Sequence, residues 1–223
     1  MMTPYRVLYR VLAAWLIGLA GLSSAQAQPT SNPSIHAQLL VAARQGDLAG
    51  VELALTSGAS PNARNPLGKT ALLMAAERGR DDLARRLIAA GADVNLASVE
   101  EVTPLMAACY GGHVALVRML LAAGARTEPV DRMHRTAAVY AAGQGHAEVL
   151  AALLEHGVSI DAAYEHGLTA LMWAAGGGHA EAVHLLLDRG ARVDLRDDRG
   201  LTATQMARDA GHAGLADELS TRH

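Results

Sequence analysis

The stretch "GLTALMWAAGGGHAEAVHLLLDRGARVD", residues 167–194, decides the fold, because its pattern of threonine, apolar and glycine positions recurs at a fixed interval along the chain. The interval is the separation between Thr70 and Thr103, and each further step of that size lands on a threonine. Equal steps from Gly79 or Gly91 land on a glycine. The positions reached in this way are Thr103, Thr136, Thr169, Thr202, Gly112, Gly145, Gly178, Gly211, Gly124, Gly157 and Gly190. A fixed period of this length is typical of proteins built from stacked, similar units.

One period has the physical features of two short helices joined by turns. The hydroxyl of Thr70 is placed to cap the segment "TALLMAAERG", and Gly79 ends that segment by supplying a left-handed residue. The next segment, "RDDLARRLIAAG", carries Leu83 and Leu87 at helical spacing and ends at Gly91. Helices this short are marginal alone, so stacking on neighbouring units must stabilise them.

The opening stretch and "TPLMAACYGGHVALVRMLLAAGA", residues 103–125, resemble ankyrin repeats. The resemblance implies an all-α repeat solenoid in which each unit is a β-turn finger followed by two antiparallel helices. It covers residues 34–223. The six units begin near residues 32, 65, 98, 131, 164 and 197.

The sequence departs from the family pattern in three ways. The histidine that the family has three residues after the threonine is replaced by Leu73, Met106, Val139, Met172 and Gln205. Glu101 and His134 replace the finger glycine, and because they tolerate a positive φ less well, we expect altered geometry in fingers three and four. In the first unit Ala37 replaces the threonine, and nearby glutamines predict a polar end face.

The segment at residues 1–27 has the three regions of an export signal. Two arginines and no acid precede an apolar run at residues 11–22, and "SSAQAQ" follows with small residues at the cleavage positions. A membrane anchor is the alternative, but twelve apolar residues are fewer than the roughly 20 that a membrane-spanning helix needs. We therefore predict a signal peptide at residues 1–27, cleavage after Ala27, and a short linker at residues 28–33.

Catalytic and nucleotide-binding motifs are weak. "ARNPLGKT", residues 63–70, matches the loose form of a phosphate-binding loop, yet the period assigns "LGKT" to a finger. A helix and a turn are predicted before it, rather than the buried strand that such a loop follows. The net charge is −3 without a basic stripe, which argues against nucleic-acid binding. We predict no enzyme activity, cofactor or metal, and we expect the lone Cys109 to be buried.

The aromatic residues beyond the signal suggest a binding site, because all four lie in units three to five. Apolar residues on an otherwise polar groove are typical of protein interfaces. The predicted partner-binding residues are Tyr110, Met133, Tyr140, Leu168, Trp173, Gly176 and Gly177. Tyr140 and Trp173 share one position in their units, which leaves core and groove equally open for both. Finger positions expected to be exposed are Val99, Val102, Met133, Leu168 and Leu201.

These features favour a non-catalytic protein–protein interaction module in the bacterial periplasm, which binds an unidentified protein through its fingers and concave face. One alternative is a secreted effector that binds a host protein. Another is an accessory protein to an envelope enzyme such as a peroxide-defence enzyme, which the resemblance permits. We expect a monomer without nucleic acid, and without membrane insertion after signal cleavage.

Overall fold

The computed structural model describes residues 34–222, which form six pairs of α-helices. The predicted signal peptide and linker lie outside the described residues. The helices are α1 Ile35–Gln45, α2 Leu48–Thr56, α3 Ala71–Glu77, α4 Asp81–Ala89, α5 Pro104–Tyr110, α6 Val114–Ala122, α7 Ala137–Gln144, α8 Ala147–Glu155, α9 Ala170–Gly176, α10 Ala180–Asp188, α11 Ala203–Asp209 and α12 Ala213–Ser220. Odd-numbered helices pack in one row and α2 to α10 in a second, which confirms the predicted repeat solenoid.

The repeated threonines cap the first helix of units two to six, as the sequence predicted. In each of these units the threonine hydroxyl oxygen accepts the N–H of the third helical residue. The replacements of the family histidine complete the cap in three units. The sulfur atoms of Met106 and Met172 and the amide oxygen of Gln205 accept the N–H of their threonine.

The first unit begins differently and is less polar at its end than expected. Ala37 has no hydroxyl, so the helix starts earlier, with Ser34 accepting the N–H of Ala37 at 3.3 Å. The expectation of a polar end face is wrong in part, since Val41 and Leu53 are exposed and line an open hollow. The physical reason is that, within the described residues, no preceding unit covers them.

The expected distortion of fingers three and four is absent. Glu101 and His134 adopt φ of 63° and 55°, close to the 72° of Gly68 in finger two. The distortion lies in finger five, where Glu165–Gly167 forms a 3₁₀ turn and His166 has a φ of 58°. A positive φ costs a residue with a side chain more than it costs glycine, so the other hydrogen bonds of these fingers must hold it.

A side-chain oxygen at the start of the finger explains this difference. Asn65, Ser98, Asp131 and Asp197 occupy equivalent positions, and each accepts the backbone N–H groups two and four residues later. We call this pair of bonds the finger staple. Tyr164 occupies the position in finger five and has no oxygen close to the backbone, so the staple is absent there.

The core consists of the repeated leucines and alanines. Leu72, Leu105 and Leu171 are at most 1 % exposed. Cys109 is buried as expected, and burial raises the pKa of its thiol above the ordinary range. None of the helices in residues 34–222 is long and apolar enough to cross a bilayer.

Candidate protein-binding surface

Exposed apolar side chains are concentrated in the middle of the array. Among the described residues, five of the seven exposed large apolar side chains fall between residues 67 and 133. They are Leu67, Val99, Tyr110, Val130 and Met133. Leu67 and Met133 are 61 % and 60 % exposed at finger tips. This distribution places the apolar surface in units two to four, one unit earlier than the aromatic residues suggested.

Hydrogen bonds between neighbouring fingers hold these tips side by side. The N–H of Val99 donates to the carbonyl oxygen of Leu67 at 2.9 Å, and the N–H of Arg132 donates to that of Glu100 at 3.3 Å. Met133 follows Arg132 directly. We define the finger surface as Leu67, Val99 and Met133 on the fingers together with Tyr110 at the end of α5.

A buried carboxylate anchors finger four to the helix behind it. Asp131 is 3 % exposed, and its Oδ1 accepts the N–H groups of Met133 and Arg135, both at 2.9 Å. Its Oδ2 accepts the Arg135 guanidinium at 2.8 Å and the Tyr140 hydroxyl at 2.5 Å. Oδ1 therefore holds the turn that carries Met133, and Oδ2 joins this finger to α7 through Tyr140.

The titration of this cluster follows from its hydrogen bonds. Burial by itself would raise the pKa of Asp131, but the bonds from Tyr140 and Arg135 outweigh it, so that pKa lies below its ordinary value. Burial, and then the hydrogen bond to Asp131, raise the pKa of Tyr140 above the ordinary range. Both groups therefore keep their neutral-pH charge states, with Asp131 ionised and Tyr140 neutral.

Tyr140 positions Tyr110 at the surface. Tyr140 is half-buried, and the two rings meet edge to face with centroids 5.7 Å apart. The Arg135 guanidinium lies 4.6 Å from the centroid of the Tyr140 ring. The edge-to-face contact of two rings stabilises an aromatic pair by about 0.5–1.5 kcal/mol. Tyr110 remains 48 % exposed, so the predicted groove residue is available to a partner while Tyr140 supports it from behind.

Trp173 occupies the position of Tyr140 in unit five and has a different environment. It is half-buried, and a Cβ at Gly143 would lie 3.7 Å from its Cε3, which places the indole against α7. Its Nε1–H is buried without a hydrogen-bond partner among the described residues. The carboxylate that bonds Tyr140 has no counterpart here, because Tyr164 stands at the position equivalent to Asp131.

The residues at the base of the fingers are covered rather than exposed. Val99 and Met133 are exposed as expected, but the expectation is wrong for Val102, Leu168 and Leu201, which are half-buried and pack against the core. Each of these three directly precedes the threonine that caps the next helix, where the chain turns inward. The predicted contact of Leu168 with a partner is thereby limited to its exposed part.

The two predicted glycines differ from each other. A Cβ at Gly177 would lie 2.5 Å from the ring of His179, so this glycine leaves room for that ring. A Cβ at Gly176 would meet nothing closer than Met206 at 3.9 Å. His179 donates through Nε2 to the carbonyl oxygen of Gly143 at 2.9 Å, so this ring links the turn before α10 to α7. Whether either glycine contacts a partner stays a prediction.

The phosphate-loop motif lies in finger two and serves the fold. Lys69 forms an ion pair with Glu77 at 2.6 Å, and its backbone N–H donates to Asn65 at 3.0 Å. A phosphate cradle needs such N–H groups free to face the ligand. Among residues 34–222, no group of three or more His, Cys, Asp or Glu side chains is placed to hold a metal ion.

Comparison with protein families agrees with this architecture. The family model described as ankyrin repeats in three copies matches residues 39–131, 124–197 and 161–220. No curated protein matches the chain significantly. Ankyrin repeats are generally protein–protein interaction modules and typically non-catalytic. Because the matches together span most of the sequence, the chain belongs to the ankyrin-repeat family.

Proposed function

We propose that this protein is a non-catalytic binding module that is exported to the bacterial periplasm and binds another protein through the finger surface. The observation that carries the proposal is the concentration of exposed apolar side chains on Leu67, Val99, Tyr110 and Met133. Aromatic residues and methionine are enriched at protein interfaces, and a few central side chains supply most of the binding energy.

The rigidity of the supporting structure favours binding. The fingers of units two to four are joined by backbone hydrogen bonds, and each has its own staple. A side chain that is already held in its bound position loses less conformational entropy on association. Charged pairs border the apolar side chains, such as Glu100 with Arg132 at 3.8 Å and Lys69 with Glu77. Exposed pairs of this kind contribute to partner selection more than to affinity.

The test is capture of the partner from cell envelopes by cross-linking, followed by affinity measurement with the captured protein. Leu67→Ala and Met133→Ala are each expected to weaken binding at least about tenfold, as central interface residues do. Leu53→Ala is the matched control, because Leu53 is 67 % exposed and lies on α2, away from the fingers. Loss of binding in the control with normal binding in the two finger variants would contradict the proposed surface.

Export has a separate test. Osmotic-shock fractionation is expected to release the protein with the periplasmic contents, and its intact mass is expected to correspond to a chain that begins at Gln28. Recovery from the culture medium would instead support the secreted effector. A mass that includes Met1 would contradict cleavage of the predicted signal.

A further inference from the structure

The row of fingers is interrupted between units four and five. Fingers two and three, and fingers three and four, are joined by the backbone bonds described above. Fingers five and six are joined by the N–H of Asp198, which donates to His166 at 2.9 Å. The equivalent bond between fingers four and five would join the N–H of Glu165 to the carbonyl oxygen of Met133. It is absent from the backbone hydrogen bonds of residues 34–222.

A second recurring bond is missing at the same junction. In the loops before the fingers, Asn62 accepts the N–H of Asp93 at 2.8 Å, and Asn95 accepts that of Arg126 at 2.9 Å. An equivalent bond joins units five and six, where Asp161 accepts the N–H of Arg192 at 3.0 Å.

At the junction of units four and five, the position of these acceptors is held by Glu128. Its longer side chain accepts the hydroxyl of Thr127 at 3.2 Å. The equivalent bond to the N–H of Ser159 is absent from the hydrogen bonds of residues 34–222.

The helices remain packed across this junction. α9 packs against α7 and α10 packs against α8, as in the other units. His179 still donates to Gly143, and Arg189 lies 3.7 Å from Glu155 on the outer side. Tyr164, which has no staple to form, is partly buried and packs against the core. The weakness is therefore confined to the fingers and the loops before them.

We infer that the junction between fingers four and five is a hinge built into the array. Fingers two to four form one body, and fingers five and six form a second body that pivots on the packed helices. The motion changes the distance between the two bodies along the groove while the core stays intact. The motion thereby allows fingers five and six to adjust to a protein bound on the finger surface, and this role rests on the proposed function.

Amide hydrogen exchange of the purified protein, followed residue by residue by NMR, tests the hinge. A net backbone hydrogen bond changes an opening equilibrium by up to about tenfold. The N–H groups of Ser159 and Glu165 are therefore expected to exchange about tenfold faster than their equivalents at Arg126 and Arg132, which lie at the junction of units three and four. Equal protection at the two junctions would overturn the inference.

Two matched substitutions separate a hinge from a purely local gap. Glu128→Asn copies the acceptor of the other junctions, and it is expected to slow exchange at Ser159 and also at Glu165. Asn95→Glu copies the weak junction into units three and four, and it is expected to speed exchange at Arg126 and at Arg132. Effects confined to Ser159 and Arg126, with the finger amides unchanged, would show that the fingers do not move as bodies and would overturn the proposal.

Discussion

Units four and five attach their fingers to their helices in opposite ways. In unit four, Asp131, Arg135 and Tyr140 form a hydrogen-bonded network between the finger and α7. In unit five, the same three positions are held by Tyr164, Leu168 and Trp173, which pack against the core as partly buried apolar side chains. Both units keep the same helix pair, so the repeat tolerates either solution. The difference shows where the array is held by directional bonds and where by packing alone.

Substitutions in the core are expected to give the largest losses of unfolding free energy. The losses should be equal in unit three and unit five. Leu105→Ala in unit three and Leu171→Ala in unit five each remove a fully buried side chain, at a cost of about 3 kcal/mol in unfolding free energy. Urea titration measures both. A cost for Leu171→Ala less than half that for Leu105→Ala would show that unit five is already loosened in its core as well as in its finger.

Asp131→Ala comes next, because it removes every bond of the network in unit four. The change leaves the Met133 and Arg135 N–H groups, the Arg135 guanidinium and the Tyr140 hydroxyl without their acceptor. We expect a loss of about 2–3 kcal/mol, below the range for fully buried ion pairs because Arg135 is partly exposed. The control is Asp161→Ala, which removes one exposed loop bond and should cost less than about 1 kcal/mol. Equal costs would mean that the network contributes little.

The period predicted the features that depend on helix capping and helical spacing. The threonine caps, the positive φ at Gly79 and the burial of Leu83 and Leu87 follow from capping, backbone freedom and helical spacing, which act within one unit. The finger staple could also have been predicted from the sequence. Steps of the same period from Asn65 land on a short polar side chain at every position except Tyr164.

The environment of the candidate site could not be predicted in the same way. The exposure of Met133 and the partial burial of Leu168 depend on where the finger bends relative to the next helix. The unpartnered Nε1–H of Trp173 depends on how one ring turns against α7. Neither property is carried by spacing along the sequence, because both arise from contacts between units.

The pH dependence of stability tests the charge in the unit-four network. Asp131 has a pKa below its ordinary value of 3.8, so its contribution is complete above that value and is lost as the pH falls through the folded pKa. Asp131→Asn keeps an oxygen for the staple but has no charge. The stability gap between the wild type and this variant is expected to be about 1–2 kcal/mol at pH 7. It should shrink below about pH 4, near the ordinary carboxyl value.

Urea titrations of both proteins at pH 7, 4 and 3 measure that gap. The pKa of Asp197 is also below its ordinary value, since the hydrogen bonds from Leu201 and Arg199 outweigh the effect of burial. Both proteins therefore lose the contribution of Asp197 equally, and the difference between them isolates Asp131. A gap that stays constant or widens in acid would show that the charge of Asp131 does not stabilise the fold.

The smallest expected effect has the opposite sign and separates the two candidate binding regions. Gly176 ends α9, and a Cβ there would meet only Met206 at an ordinary contact distance of 3.9 Å. Gly176→Ala should therefore stabilise the protein by about 0.5–1 kcal/mol, because alanine loses less backbone entropy on folding. Thermal unfolding measures this gain, and partner capture is expected to stay unchanged because Gly176 lies outside the finger surface. A stabilised variant that no longer captures the partner would place the contact at unit five, where the aromatic residues first suggested it.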